Sequence, residues 1–376
     1  MVEVPLRYTV PSLGIALVIS APGWRGSAVS LAKIAGGLKR HGHRPFVLTS
    51  HDRTNERFRN AGFDARKLDL SNTGPRQVFA LRAALRGADA VLVDSPRDLR
   101  LTALATLGRG VPIVYRYNLG HRAPRNDLAD RLYARRIAAT VFQSAYIREL
   151  AVARTPALAR RPVFQIPNGF DVAALAPDPT AGAAFRDRFG LEREAAVVLT
   201  GSKLAHNKGH DVALDALVRV KESGHPVTWV VCGNGVRRTA LEQETRARGL
   251  RSIFTGMVDV PTMRAAYNAA DVVLHPATTE IFPNVVGEAM ACGCAVVGAD
   301  AGGLPEVLGR DGRSGILVRG DDAARMAGAI TELLADPARR AGMGTAARAR
   351  IVHEFPLARM EDAYTDVFEA LARARR

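Results

Sequence analysis

A chain of 376 residues is long for one hydrophobic core and suits two domains of about 150 to 200 residues each. At 47% hydrophobic and 24% charged, without repeats or low-complexity stretches, the composition excludes a fibrous or disordered protein. The formal charge of +15 is lopsided: up to Asn168, 27 Lys and Arg against 11 Asp and Glu give +16, and the remainder gives −1. The first half is therefore expected to meet an anionic partner, whether an acidic membrane surface, an acidic acceptor molecule or nucleic acid, unless the excess is only an Arg-rich soluble face.

The first long apolar run, Leu13 to Ala21, is too short to span a bilayer and reads as a buried strand rather than a signal peptide. Within it Gly14 to Ser20 is the strand, Pro22 to Ser27 (PGWRGS) a glycine-containing turn, and Ala28 to Arg40 an amphipathic helix. His41-Gly42-His43 ends that helix and Pro45 to Thr49 supplies a second strand, which completes a βαβ unit. The alternation continues: helix Pro75 to Arg86, strand Ala90 to Val93, helix Leu99 to Leu107, strand Val111 to Tyr115, helix Asp127 to Arg136. Strand Ala139 to Gln143, helix Ala145 to Ala153 and strand Val163 to Ile166 follow. Such alternation predicts a doubly wound, Rossmann-like α/β domain over 1–168. No full G-x-G-x-x-G follows the first strand, which argues against a plain dinucleotide-binding domain.

Pro167-Asn168-Gly169 marks a bend, and the Pro/Ala-rich stretch Ala173 to Ala184 marks the change of domain. A second doubly wound domain, 169–355, then cycles through strand Ala196 to Thr200, helix Asp211 to Glu222, strand Val227 to Cys232 and helix Arg238 to Arg248. Strand Ile253 to Thr255, helix Pro261 to Ala269, strand Val272 to His275, helix Val286 to Ala291 and strand Ala295 to Gly298 come next. Helices Asp322 to Ala335 and Pro337 to His353 follow. The last helix, within 356–376, is long enough to pack back on the first domain. The three cysteines, Cys232, Cys292 and Cys294, form neither a disulfide framework nor a zinc pattern, and read as buried reduced thiols of a cytosolic protein.

Five patches of the second domain fall on loops at the carboxyl ends of strands, where open parallel sheets bind ligands. Gly201 to Gly209 (GSKLAHNKG) offers Lys203 and Lys208 to a diphosphate. Gly233-Asn234-Gly235, Gly256 to Asp259 and Ala301-Gly302-Gly303 allow close backbone approach. The richest is Thr279 to Gly303, where Glu280 and Glu288 flank Phe282-Pro283-Asn284-Val285 and a helix start. Free backbone N–H groups there suit an anion, whereas the two carboxylates suit hydroxyl groups. A nucleotide sugar carries both.

These residues resemble the retaining family-4 glycosyltransferases with the GT-B fold. The likeness rests on GSKL-x3-KG, Cys-Gly-Asn-Gly, Asp271 with His275-Pro276, E-x-F-P-N-V-V-x-E-A-M-A-C-G, G-G-x-x-E and the hinge Ile166 to Asp171. It is specific in the second domain and general in the first. The resemblance implies two Rossmann-like domains facing across a cleft, an acceptor-binding first domain, a nucleotide-sugar donor second domain and a C-terminal helix crossing back. It implies that Glu288 holds donor ribose hydroxyls and that Glu280 sits beside the transferred sugar. Backbone from Phe282 to Val285 would contact sugar and diphosphate, Lys203 and Lys208 would neutralise the leaving phosphate, and Gly23 or Gly26 would close over it. Gly233 and Asn234 complete the expected donor-binding set.

The sequence departs from the family where Lys203 stands for the usual Arg, a point charge in place of a bidentate fork. Where the family carries a His after the strand Val111 to Tyr115, this chain has Arg116-Tyr117-Asn118; either Asn118 or His121 is expected to face the sugar. No D-x-D occurs, so the lysines are expected to do the work of a metal, and no cofactor is expected. The expected partners are a nucleotide-diphosphate sugar donor and a hydroxyl acceptor, either a glycan, a lipid-linked or a small molecule. The location is expected to be cytoplasmic, on or off the inner face of the membrane. Two rival readings share the data: a nucleotide-sugar epimerase or phosphorylase of the same shape, and a nucleic-acid-binding protein. The second rests on the basic half alone, since 6% aromatic content leaves few stacking platforms.

Overall fold

The computed structural model describes residues 11–24, 26–118, 133–192 and 195–375. The chain divides into two units, one running to Gly169 and resuming at Leu357, the other spanning Phe170–Pro356.

The first unit is built on seven strands: β1 (Gly14–Ile19), β2 (Arg44–Thr49), β3 (Asp64–Lys67), β4 (Ala90–Val93), β5 (Ile113–Arg116), β6 (Ile137–Phe142) and β7 (Val163–Gln165). Their order is β3-β2-β1-β4-β5-β6-β7, every pairing parallel. All of β1 is buried, which explains its unbroken apolar run: a parallel sheet has helices on both faces and needs no polar alternation. The helix Gly26–Arg40 buries Leu31, Ile34, Ala35 and Leu38 at helical spacing. Against it lies the C-terminal helix Leu357–Arg373, whose Met360, Tyr364, Val367 and Phe368 join the core that holds Leu17 and Ile34. Gly37 is the contact point, since a Cβ there would stand 2.5 Å from that of Glu361, and the Glu361 carboxylate pairs with Arg40.

The second unit has six parallel strands: β8 (Ala196–Gly201), β9 (Val227–Cys232), β10 (Ser252–Gly256), β11 (Val272–His275), β12 (Ala295–Ala299) and β13 (Ile316–Val318). Their order is β10-β9-β8-β11-β12-β13. Both sheets reverse direction of growth once, between β1 and β4 and between β8 and β11, and these switch points open crevices at the carboxyl ends of the strands.

Several elements carry too little apolar periodicity to be read from sequence. The helix Asp52–Asn60 buries only one large apolar residue, Phe58, and β3 is an edge strand with three exposed residues of four. The short helix Leu304–Leu308 and edge strand β13 are similarly brief. Within the Pro/Ala-rich stretch, Pro179–Arg188 is a helix: Pro179 occupies its first turn, and Asp178 caps it by accepting from the Ala181 N–H at 2.9 Å. Most of the predicted helix Asp127 to Arg136 lies outside the described residues.

On the first unit, Phe79 and Leu107 are large apolar side chains left 69% and 52% exposed. Arg82, about one turn after Phe79, donates to the carbonyls of Ala105 and Leu107 at 3.1 and 2.8 Å, and Arg109 donates back to the Arg82 carbonyl at 2.8 Å. Arg76 and Arg86 are exposed beside Phe79 in sequence. Among the described residues no helix is long and apolar enough to cross a membrane.

Candidate active site

The five loops of the second unit leave the carboxyl ends of β10, β9, β8, β11 and β12 in that spatial order, and backbone contacts lock them together. Ser202 N–H donates to the Cys232 carbonyl and Leu204 N–H to that of Asn234, both at 3.1 Å, and Gly233 N–H donates to Gly256 at 2.9 Å. Gly233, Asn234 and Lys203 are thus parts of one interlaced edge, with Lys203 exposed on it.

Two glycines set the approach of the remaining loops. Gly209, at φ 70°, lies where a Cβ would be 2.5 Å from the Pro276 carbonyl oxygen, and Gly302, at φ 60°, where one would be 2.4 Å from that of Glu280. Only glycine satisfies both the left-handed backbone and the missing space. Gly303 N–H then holds the Glu280 carbonyl at 2.8 Å, and Asn207 Nδ2 donates to Thr279 Oγ1 at 3.2 Å. The result is a direct pair across the switch point: Lys208 Nζ donates to Glu280 Oε1 at 2.6 Å, with the two side chains 19% and 20% exposed. With 72 positions between them, the two residues carry no mark of this pairing in the sequence.

The helix after Pro283 spans Asn284–Ala291 and begins two residues earlier than the sequence suggested, with Pro283 as N-cap and no side-chain cap. Val286 and Gly287 N–H donate to the Pro283 carbonyl at 3.1 and 3.3 Å, and the positive end of the helix dipole lies at this turn, where it favours an anion. Phe282 points its ring inward, stacked on Phe170 at 6.2 Å and edge-on to Phe355 at 5.8 Å, so only its backbone can serve a ligand. Gly287 makes room for that packing, a Cβ there falling 2.0 Å from Phe170 Cζ. Glu288, half-buried one helical turn on, accepts from Tyr267 Oη at 2.9 Å. Tyr267 itself is buried; burial and then the Glu288 charge push its pKa well above the usual phenol range, so it stays a donor and orients the carboxylate. This partner was not anticipated.

Two buried histidines lie beneath the Lys208–Glu280 pair. His275, the last residue of β11, places Nε2 3.7 Å from Glu280 Oε1. His210 Nε2 lies 3.1 Å from Ser202 Oγ, and burial pushes its pKa down to about 4. The His275-Pro276 dipeptide at a strand end was the available signal for the first of these. Asp271 sits at the opposite end of β11, bonded to Val197 N–H at 2.8 Å and Arg186 at 2.7 Å, and is a strut of the sheet. All three cysteines are buried and free; burial, then Glu288, pushes Cys292 up to about 12, which leaves it an inert thiol.

In the first unit Gly23 lies in the turn after β1, its N–H donating to Thr54 Oγ1 at 3.1 Å, and Gly26 opens the following helix. The switch point there is filled by buried charge. Arg116 Nη2 donates to Asn168 Oδ1 at 2.9 Å and its Nη1 lies 3.9 Å from Asp94. Burial raises the Asp94 pKa, against Arg116 and hydrogen bonds from Ser27 and Asn118. Asp98 accepts from Ser20 N–H at 3.2 Å and Ser95 Oγ at 2.7 Å, and burial pushes it up to about 6. Asn118 is thus engaged with Asp94, and His121 lies outside the described residues. Among the described residues no cluster of three or more His, Cys, Asp or Glu could hold a metal ion.

Comparison with known proteins matches residues 195–336 to the family model "Glycosyl transferases group 1" and residues 24–174 to "Glycosyltransferase Family 4". A GDP-mannose-dependent alpha-(1-6)-phosphatidylinositol monomannoside mannosyltransferase of Mycolicibacterium smegmatis is 34% identical over 192 residues, 49% of this chain and 50% of that protein's length. The protein of the same description from Mycobacterium tuberculosis is 28% identical over 360 residues, covering 90% of this chain and 86% of its own. The crystal structure of Anabaena HepE in complex with UDP and glucose superposes with a TM-score of 0.85 at 21% identity, over 95% of this chain and all of that one, a likeness in fold.

Proposed function

Because the chain belongs to the family-4, group 1 glycosyltransferases of GT-B fold, we propose that it moves a sugar from a nucleotide-diphosphate sugar to a hydroxyl acceptor with retention of anomeric configuration. The observation that carries this reading is the Lys208–Glu280 pair beside an uncapped helix start and a Tyr267-oriented Glu288.

As the glycosidic bond breaks, negative charge builds on the leaving diphosphate. Lys208, the exposed Lys203 and the N–H groups of the helix Asn284–Ala291 stabilise that charge, each well-placed donor contributing about 3 to 4 kcal/mol. Glu288, already an acceptor for one hydroxyl, takes the ribose hydroxyls. Glu280 meets sugar hydroxyls once Lys208 turns to phosphate. Double displacement would need a carboxylate beneath the anomeric carbon; with Glu280 given to sugar hydroxyls, front-face attack with the leaving phosphate as base is the course the family resemblance implies. In the first unit, Gly23 or Gly26 is the proposed backbone contact to phosphate, and His121 or Asn118 the proposed contact on the acceptor side.

GDP-mannose in the relatives' names and UDP in the neighbour's make guanine and uracil the two donor bases to test first. A lipid-linked or cell-envelope acceptor accords with the phosphatidylinositol monomannoside in those names. Phe79 and Leu107, with Arg76 and Arg86 as exposed cations of the same unit, would let the protein rest on an anionic membrane face.

Incubation with UDP-, GDP- and ADP-sugars in EDTA, with nucleotide release followed by NMR, tests the reading. Release from at least one donor, unaffected by EDTA, is expected. No binding or hydrolysis across the panel, or loss of release with EDTA, would overturn it.

A further inference from the structure

Lys208 cannot neutralise a diphosphate and hold Glu280 at 2.6 Å with equal strength, so donor binding must loosen that pair. Glu280 would then be an unpaired carboxylate beside a polyanion. Among the described residues, His275 is a group within reach that could replace the lysine without competing for phosphate. His275 is 2% exposed, its Nε2 has no hydrogen-bond partner, and that atom faces the Glu280 oxygen Lys208 now occupies, 3.7 Å away.

Its backbone is fixed. β11 is paired with β8 on one side and β12 on the other, with His275 in register with Gly298, and the next residue, Pro276, is the one Gly209 abuts. The charged and titratable groups facing it are Glu280 on its own loop, Lys208 on the loop after β8, and His210 at the start of the next helix. Burial lowers its pKa, Glu280 opposing and Lys208 adding to the effect, so the imidazole is neutral and can offer a single N–H. A neutral donor suits the task, because a second cation at this point would trap the carboxylate again.

We infer that His275 is a positioning residue that receives the Glu280 carboxylate through an Nε2–H···Oε1 hydrogen bond when Lys208 turns to the donor diphosphate. A side-chain movement of about 1 Å closes the gap to hydrogen-bond length. The inference rests on the glycosyl-transfer reading above for its purpose, but not for its geometry.

Two measurements test it. In imidazole 15N NMR without any substrate, Lys208→Met should move the His275 Nε2–H signal into the hydrogen-bonded range, and adding Glu280→Leu should reverse the movement. Identical His275 signals in all three proteins overturn the inference, whatever the chain transfers. In turnover, His275→Phe should lower kcat about 10- to 100-fold with donor KM changed less than about threefold, and His275→Gln, which restores an N–H donor, should recover most of it. Equal losses in both variants, or none in either, overturn it too. Wild-type protein that turns over no nucleotide sugar condemns the functional reading alone, since the NMR result stands without it.

Discussion

The two sheets share a strand order through six positions, yet they treat charge at the switch point in opposite ways. In the second unit Lys208 and Glu280 meet at the mouth of the crevice, about one-fifth exposed, on loops held by glycine contacts. In the first, Asp94, Asp98 and Arg116 are at most 4% exposed; Arg116 ties Asp94 to Asn168, and Asp98 holds Ser20 and Ser95. A charge pair near the surface can be exchanged for a ligand at modest cost, whereas a buried one must stay whole. One topology thus yields an exchangeable site in one unit and a sealed strut in the other, and the difference comes from a few side chains rather than from the fold.

The sharpest way to break this contrast is to remove one cation from each unit. Arg116→Ala should destabilise the protein by about 3 to 5 kcal/mol in denaturant or thermal unfolding, by stranding Asp94. Lys208→Ala should leave the melting temperature within a few degrees and lower kcat about 100- to 1,000-fold. Were Arg116→Ala to melt with the wild type, or Lys208→Ala well below it, the division of labour would be wrong.

Next comes pH. Asp98 has a folded pKa of about 6 against an ordinary 3.8, so its burial is harmless below pH 3.8 and costs stability progressively as pH rises through 6. Asp98→Asn should therefore stabilise by up to about 3 kcal/mol at pH 8 and by little at pH 4. His210 runs the other way. Its depressed pKa gives stability that is full above 6.5 and lost as pH falls towards 4, so His210→Gln should flatten the acid limb instead. Parallel pH curves for wild type and Asp98→Asn would show that Asp98 is not the buried acid described.

The smallest effect concerns the basic surface. Co-sedimentation with anionic vesicles should weaken about fivefold for each of Arg76→Gln and Arg86→Gln, and similarly for Phe79→Ser. Binding indifferent to anionic lipid content would leave the +16 half as a soluble face only.

Much of this architecture was legible because buried parallel strands such as GIALVI and VTWVVC are continuous apolar runs separated by helical periods. Edge elements such as β3, with the sequence DARK, carry no such signal, because an edge strand has little to bury. At the site, Glu280, Glu288, Lys203 and Lys208 stood out by charge on glycine-rich loops. What charge could not disclose was which groups touch. The Lys208–Glu280 pair depends on Gly209 and Gly302 drawing two distant loops together, and Tyr267 reaches Glu288 from a helix that reads as ordinary core. Buried polar groups such as Arg116 look, in sequence, like any surface arginine until the strand that carries them is known to be covered.

The return of the C-terminal helix to the first unit fixes an order of events during synthesis. The second unit, Phe170–Pro356, is a single uninterrupted stretch and can fold as soon as it emerges from the ribosome. The first unit cannot close its core around Leu17 and Ile34 until Met360, Tyr364 and Phe368 are made. At about 5 to 20 residues per second, the intervening stretch of roughly 190 residues keeps that core waiting for about 10 to 40 seconds. The half of the protein that is translated first is therefore finished after the second, and a premature stop after the second unit would release a completed second unit attached to an open, basic and apolar first one.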